Sequence, residues 1–97
     1  MYKLLYHPSA AKRLKTIHPV DRKKVLSKIE VLSKNPHDSS LNVKKLVGTK
    51  SSYRLRVGNM RVIFEIEETN KRIYTKLKGN SDLLYIWEIE YRGSVSY

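Results

Sequence analysis

With 97 residues the chain can bury one modest core of helix packed on sheet, and it is too short for two lobes enclosing a deep cleft. The absence of cysteine excludes a disulfide framework, thiolate metal sites and a cysteine nucleophile together. Twenty Lys and Arg against nine Asp and Glu give a formal charge of +11, which calls for a polyanionic partner, nucleic acid first and an acidic protein second.

The N-terminal MYKLLYHPSAAKRL carries a charge at its third residue and has no apolar run of signal-peptide length. No later stretch approaches the roughly 20 apolar residues needed to span a bilayer, and no basic amphipathic helix with bulky aromatics is present. A cytoplasmic protein that does not engage membranes is expected. Tyr2 to Tyr6 is a short β-prone run, ended by His7-Pro8 because proline biases the preceding residue away from helix. Ser9 is the expected N-cap of a short helix whose face is Ala10, Leu14 and Ile17, with Lys12, Arg13 and Lys15 pointing elsewhere. Pro19 closes that helix and opens a second, with Asp21 in the first turn, where negative charge favours the helix dipole. Val25, Ile29 and Leu32, flanked by Leu26, form its core stripe through Lys34. Asn35-Pro36 then ends it, and residues 36–41 read as a loop. The two helices should form an antiparallel hairpin.

After Gly48 the hydrophobic period changes to two. Tyr53 to Val57 alternates, Gly58-Asn59 is a two-residue hairpin signal, and Met60 to Ile66 alternates again. Ile73 to Leu77 and Leu83 to Tyr91 are two further expected strands, separated by Gly79-Asn80-Ser81-Asp82. No repeat or linker divides the chain, so residues 1–97 read as a single α+β domain: an N-terminal strand, a helical hairpin, then a mainly antiparallel sheet.

A two-residue loop at Gly58-Asn59 fixes which residues face one another. Val57 lies opposite Met60, Arg56 opposite Arg61, Leu55 opposite Val62 and Arg54 opposite Ile63. Arg54, Arg56 and Arg61 therefore share one face, and Tyr53, Leu55, Val57, Val62, Phe64 and Ile66 form the opposite, core-facing set. Like charges directly opposite in a sheet cost about a few tenths of a kcal/mol, so folding gives no reason for Arg56 to face Arg61. Glu65 and Glu67 fall on the arginine face and offer an alternative, that the arginines merely solvate it and pair with these carboxylates. Three arginines on one patch of a strongly basic domain favour an anion site. The guanidinium fork donates two parallel hydrogen bonds to phosphate and never loses its charge, and metal-free phosphodiester chemistry needs such fixed cations.

Other chemistries find little support. His7, His18 and His37 lack ligand spacing and read as surface or capping residues. There is no glycine-rich phosphate loop, no nucleophile elbow, no zinc-protease helix and no carboxylate cluster of two-metal type. No metal or other cofactor is expected. Trp87, with Tyr85 and Tyr91 on the same alternation, reads as packing.

The segments HPSAAKRL, DRKKVLSKIEVLSKNP, VKKLVG and above all YRLRVGNMRVIFEIE resemble, in this order along nearly the whole chain, the RelE/ParE toxin superfamily. The resemblance implies a βααβββ fold and the toxin of a type II toxin–antitoxin system, neutralised by a small antitoxin. In the RelE branch such a toxin enters the ribosomal A site and cuts mRNA, the 2′-hydroxyl attacking the adjacent phosphate. It also implies operator DNA as a partner, only for the toxin–antitoxin complex. The family's basic positions on the first hairpin strand match Arg54 and Arg56, and the arginine opening the next strand matches Arg61. The C-terminal YRGSVSY offers Arg92 for the family's arginine, Tyr91 where histidine is common and Tyr97 as the terminal aromatic, with spacing one residue longer than the usual pattern. On this reading Arg54, Arg56, Arg61 and Arg92 clamp the scissile phosphate, and Tyr97 or Tyr91 stacks on a base. Lys44 and Lys45, in the loop before the hairpin, contact RNA backbone without reading sequence. Two alternatives stay open: a ParE-like toxin that poisons DNA gyrase, and a non-catalytic basic module that binds RNA or ribosomes.

Overall fold

Two His-Pro steps organise the N-terminal half. The structure, a computed structural model, describes residues 2–67 and 82–91. Strand β1 spans Lys3–Tyr6, helix α1 Pro8–Thr16 and helix α2 Pro19–Lys34. Each helix begins with proline at its first position, where the missing N–H has no intrahelical partner to lose. The histidine before each proline is the cap: His7 Nδ1 accepts from Ser9 N at 3.1 Å, and His18 Nδ1 accepts from Val20 N at 3.2 Å. Ser9, expected as the N-cap, instead lies inside the first turn with its hydroxyl 2.8 Å from His7 Nδ1. The proline's fixed φ already starts the helix at Pro8, so the capping position falls one residue earlier than serine.

The end of α1 is satisfied from outside the helix. Arg22, on α2, donates through Nε to Leu14 O at 2.7 Å and through Nη2 to Lys15 O at 3.0 Å and Ile17 O at 3.3 Å. One guanidinium thus takes up carbonyls that the last turn leaves without donors, and it ties the two helices at their junction.

The remaining strands are β2 (Asn42–Lys45), β3 (Ser52–Val57), β4 (Met60–Glu67) and β5 (Leu83–Tyr91), in one sheet of order β1-β5-β4-β3-β2. β1 runs parallel to β5 and the other pairs are antiparallel, giving the expected α+β class. Lys44 and Lys45, expected in a loop before the hairpin, belong to the edge strand β2. With a single apolar residue, Val43, that segment carries too little alternation to read as a strand. The expected strand over Ile73 to Leu77 and the turn at residues 79–81 lie outside the described residues.

The β3–β4 register matches the one that the two-residue loop dictates, from Val57↔Met60 to Tyr53↔Phe64. Gly58 has φ 55° and, among the described residues, no non-glycine residue has positive φ, so the loop has the II′ pattern, in which only the first central residue needs the left-handed region. The core follows from this register. Leu55, Val57, Met60, Val62 and Phe64 join Leu84, Ile86 and Ile89 of β5, and Ala10, Ile17, Val25, Ile29 and Leu32 close over them. Tyr53 stacks on Phe64 with centroids 5.6 Å apart. Leu26, expected beside the α2 stripe, is exposed.

One irregularity redirects β5. Ile63 pairs with Glu88 but Phe64 pairs with Ile86, which leaves Trp87 as an extra residue in a β-bulge. The bulge turns Trp87 and Glu88 both outward and sends Tyr91 to the helical side. There Tyr91 Oη donates to Asp21 Oδ2 at 2.8 Å and accepts from His18 N at 3.2 Å, fastening the start of α2 to the sheet. Tyr91→Phe removes both hydrogen bonds and keeps the ring, so it should lower stability by about 1–3 kcal/mol in urea denaturation.

Candidate functional site

Alternation on β3 and β4 brings Arg54, Arg56 and Arg61 onto the sheet face opposite the core, with Arg56 directly across from Arg61. All three are half-buried. The neighbouring strands extend the patch in chemically opposite directions. On one side β2 places Asn42 opposite Arg56 and Lys44 opposite Arg54. On the other, β5 places Glu90 opposite Arg61 and Glu88 opposite Ile63.

One of the carboxylates that alternation offers as counter-ions, Glu65, is engaged elsewhere. Glu65 accepts from Trp87 Nε1 at 3.0 Å and from Ser51 Oγ at 3.2 Å. Neither Arg54 nor Arg61 makes a hydrogen bond or an ion pair within 4 Å to any described residue, and Arg54 Nε is buried without a partner. A buried donor left unmade is costly. An anion such as a phosphodiester would satisfy it with charge-assisted bonds.

Beside this patch, Glu88 is held above the ordinary glutamate value of 4.5. The first cause is its side-chain hydrogen bond to Glu90, followed by burial and the repulsion of the Glu90 charge, while Arg61 pulls in the opposite direction. Two carboxyls that share a hydrogen bond favour keeping one proton between them.

The sequence-derived site residues separate into three groups. Arg54, Arg56, Arg61 and Lys44 come together on one face. Lys45 does not join them, because it pairs with Tyr53 on the opposite face, and Tyr91 does not, because its hydroxyl is committed to α2. Tyr91, which the family resemblance offered as a base-stacking residue, instead holds its hydroxyl against Asp21 and His18 N on the helical side. Arg92 and Tyr97 lie outside the described residues. The bulge also overturns the packing role expected of Trp87, which is 40% exposed and forms an open-face cluster with Tyr85 at 4.6 Å and His7 at 5.4 Å between ring centroids. Among the described residues, no three His, Asp or Glu side chains gather as metal ligands, and no helix is long and apolar enough to cross a membrane.

No protein-family model matches the chain, and no curated protein sequence matches it. Solved structures do match. The chain superposes on the archaeal RelE–RelB complex of Pyrococcus horikoshii OT3 with a TM-score of 0.70 and 24% identity, covering 97% of this chain and 98% of that one. The RelB–RelE antitoxin–toxin complex of Methanococcus jannaschii gives 0.69 at 24% identity over 95% and 94%. The isolated RelE toxin of E. coli gives 0.68 at 13% identity over 95% and 85%. The fold is that of RelE toxins, as the sequence resemblance implied.

The raised Glu88 carboxyl sets a pH signature. A raised acid favours the folded state fully below the unfolded value of 4.5, and that contribution is lost as pH rises through the folded value. Glu88→Gln should therefore raise the melting temperature relative to the parent at neutral pH, and the gain should vanish below about pH 4.5. Thermal melts from pH 4 to 8 check both limbs.

Proposed function

We propose that this chain is the toxin of a type II toxin–antitoxin system and, within it, a ribosome-dependent mRNA endoribonuclease that works without a metal. The observation that carries this reading is the half-buried arginine face in a RelE fold, where Arg54 and Arg61 form no ion pair within 4 Å among the described residues and Arg56 stands directly across from Arg61. Such a face favours the dianionic phosphorane-like charge of a transition state over the singly charged phosphodiester ground state, which is the condition for rate acceleration.

In the proposed reaction the 2′-hydroxyl of the nucleotide before the cut attacks the adjacent phosphorus. The new O2′–P bond forms as the P–O5′ bond breaks, leaving a 2′,3′-cyclic phosphate and a 5′-hydroxyl. Arg56 and Arg61 hold the non-bridging oxygens, Arg54 and Arg92 complete the clamp, and Tyr97 stacks on a neighbouring base. Lys44, opposite Arg54, contacts the backbone beyond the scissile phosphate. Arginine holds its proton too tightly to act as a general base, so these residues contribute charge and position.

The neighbours crystallised with RelB support a cognate antitoxin as partner. An acidic or amphipathic segment that covers the arginine face would neutralise the toxin by occupying the phosphate site. We place the protein in the cytoplasm with its ribosomal substrate, and assign operator DNA as a partner only to the toxin–antitoxin complex.

Induction of the protein alone in a bacterial host, with transcript 5′ ends mapped by primer extension, tests the reading. New ends inside translated codons are expected, and they should disappear when translation is blocked. Arg61→Ala should lower the cleavage rate by about 10²–10³-fold, the usual effect of removing one preorganised charge-stabilising donor. Growth arrest with intact transcripts would transfer the case to gyrase poisoning or to non-cleaving ribosome binding.

A further inference from the structure

A cleft of about 430 Å³ opens between α2 and the β2–β3 edge, on the far side of Arg56 from β5. Lys24, Ser27 and Lys28 line it from α2, Ser40 and Asn42 from the chain entering β2, and Arg56 from β3. Among the described residues, no acidic side chain lines it. Lys24 and Lys28 lie four apart on one helix, a spacing at which like charges repel and weaken the helix. Neither has an ion-pair partner among the described residues. Asp38 is close enough to Lys28 for their charges to interact, but its carboxylate accepts from Ser40 N at 2.9 Å and from Ser40 Oγ at 2.7 Å.

The cleft is continuous with the arginine face. Strand β2 begins at Asn42, opposite Arg56, so β3 continues past the end of its neighbour through Val57. The same Arg56 belongs by register to the arginine face and lines the cleft. Asn42 and the two serines supply neutral hydrogen-bonding groups, and three cations surround them.

We infer that this cleft is a second phosphodiester site, which receives RNA backbone as it leaves the arginine face over Arg56. Its alignment with a cleavage site rests on the proposed function, whereas its affinity for RNA backbone does not. Among the described residues the lining offers cationic and hydroxyl or amide groups and no aromatic ring, so it recognises phosphate and sugar, and discriminates little between bases. On the opposite flank of the sheet Glu88 and Glu90 repel a polyanion, which leaves the β2 side as the favoured exit.

Two sources can supply such a backbone, the substrate strand itself or ribosomal RNA, and one pair of binding measurements separates them. The full chain carrying Lys24→Gln and Lys28→Gln is compared with the parent and with a charge-matched control, Lys12→Gln and Lys15→Gln on α1. Affinity for a short single-stranded RNA with 2′-O-methyl sugars at every linkage, which removes the attacking hydroxyl and blocks cleavage, is read by fluorescence anisotropy at several salt concentrations. Affinity for ribosomes lacking mRNA is read by sedimentation. The cleft variant should bind about tenfold more weakly than the control, and the slope of log K against log salt should fall by roughly 0.7 for a lost phosphate contact. Loss on the oligonucleotide assigns the cleft to the substrate strand, and loss on ribosomes alone assigns it to ribosomal RNA. Equal behaviour of cleft variant and control in both assays overturns the inference, as does a cleft variant that loses only its affinity for an acidic antitoxin. Cleft-dependent binding by a protein that never cuts transcripts would instead refute the nuclease reading and leave the second site standing.

Discussion

The register of the β3–β4 hairpin is the constraint on which both the core and the candidate site depend. Side chains alternate with a period of two, so a slip of β4 by one residue against β3 would carry Met60, Val62 and Phe64 to the open face and turn Arg61 toward the core. Each large apolar side chain would forfeit about 1.5–3 kcal/mol of burial, and each buried unpaired charge would cost several kcal/mol more. Against this, setting Arg56 across from Arg61 costs about a few tenths of a kcal/mol. The hydrophobic half of the hairpin therefore holds the arginines together against their own repulsion, and the site is obtained as the reverse side of the core.

The helices are fastened to this sheet by a small number of polar contacts at their ends. His7 and His18 cap the two N-termini, Arg22 takes up the carbonyls at the end of α1, and Tyr91 links Asp21 and His18 N to β5. These contacts concentrate at the α1–α2 junction, where four consecutive residues from Thr16 to Pro19 must change direction without leaving backbone groups unsatisfied. The bulge at Trp87 makes the last of them possible. Without the extra residue, Tyr91 would share a face with Tyr85 and its hydroxyl would point away from α2.

Charge is distributed unevenly across the open face. Lys44, Arg54, Arg56 and Arg61 occupy the β2, β3 and near β4 region, while Glu88 and Glu90 with the Trp87–Tyr85–His7 cluster occupy β5 and the start of α1. Glu65 is held by Trp87 and Ser51. That arrangement keeps a carboxylate on the arginine face from neutralising the arginines, and it gives a bound polyanion a preferred direction toward the β2 edge.

The residues themselves determined the hairpin, the faces of both helices, the α+β class and the company of Arg54, Arg56 and Arg61, because these follow from local periodicity and from a turn with one allowed register. The replacement of Ser9 by His7 as cap was also within reach, since Pro8 fixes the helix start; the capping preference of serine obscured it. Strand β2 was not legible, because an edge strand with one apolar residue is defined by its hydrogen bonds to β3 and not by its own pattern. The parallel pairing of β1 with β5, the Trp87 bulge that separates Tyr91 from the open face, and the cleft joining α2 to Arg56 were decided only by the tertiary structure. Each depends on which distant segments meet, and alternation within one strand carries no information about its neighbour.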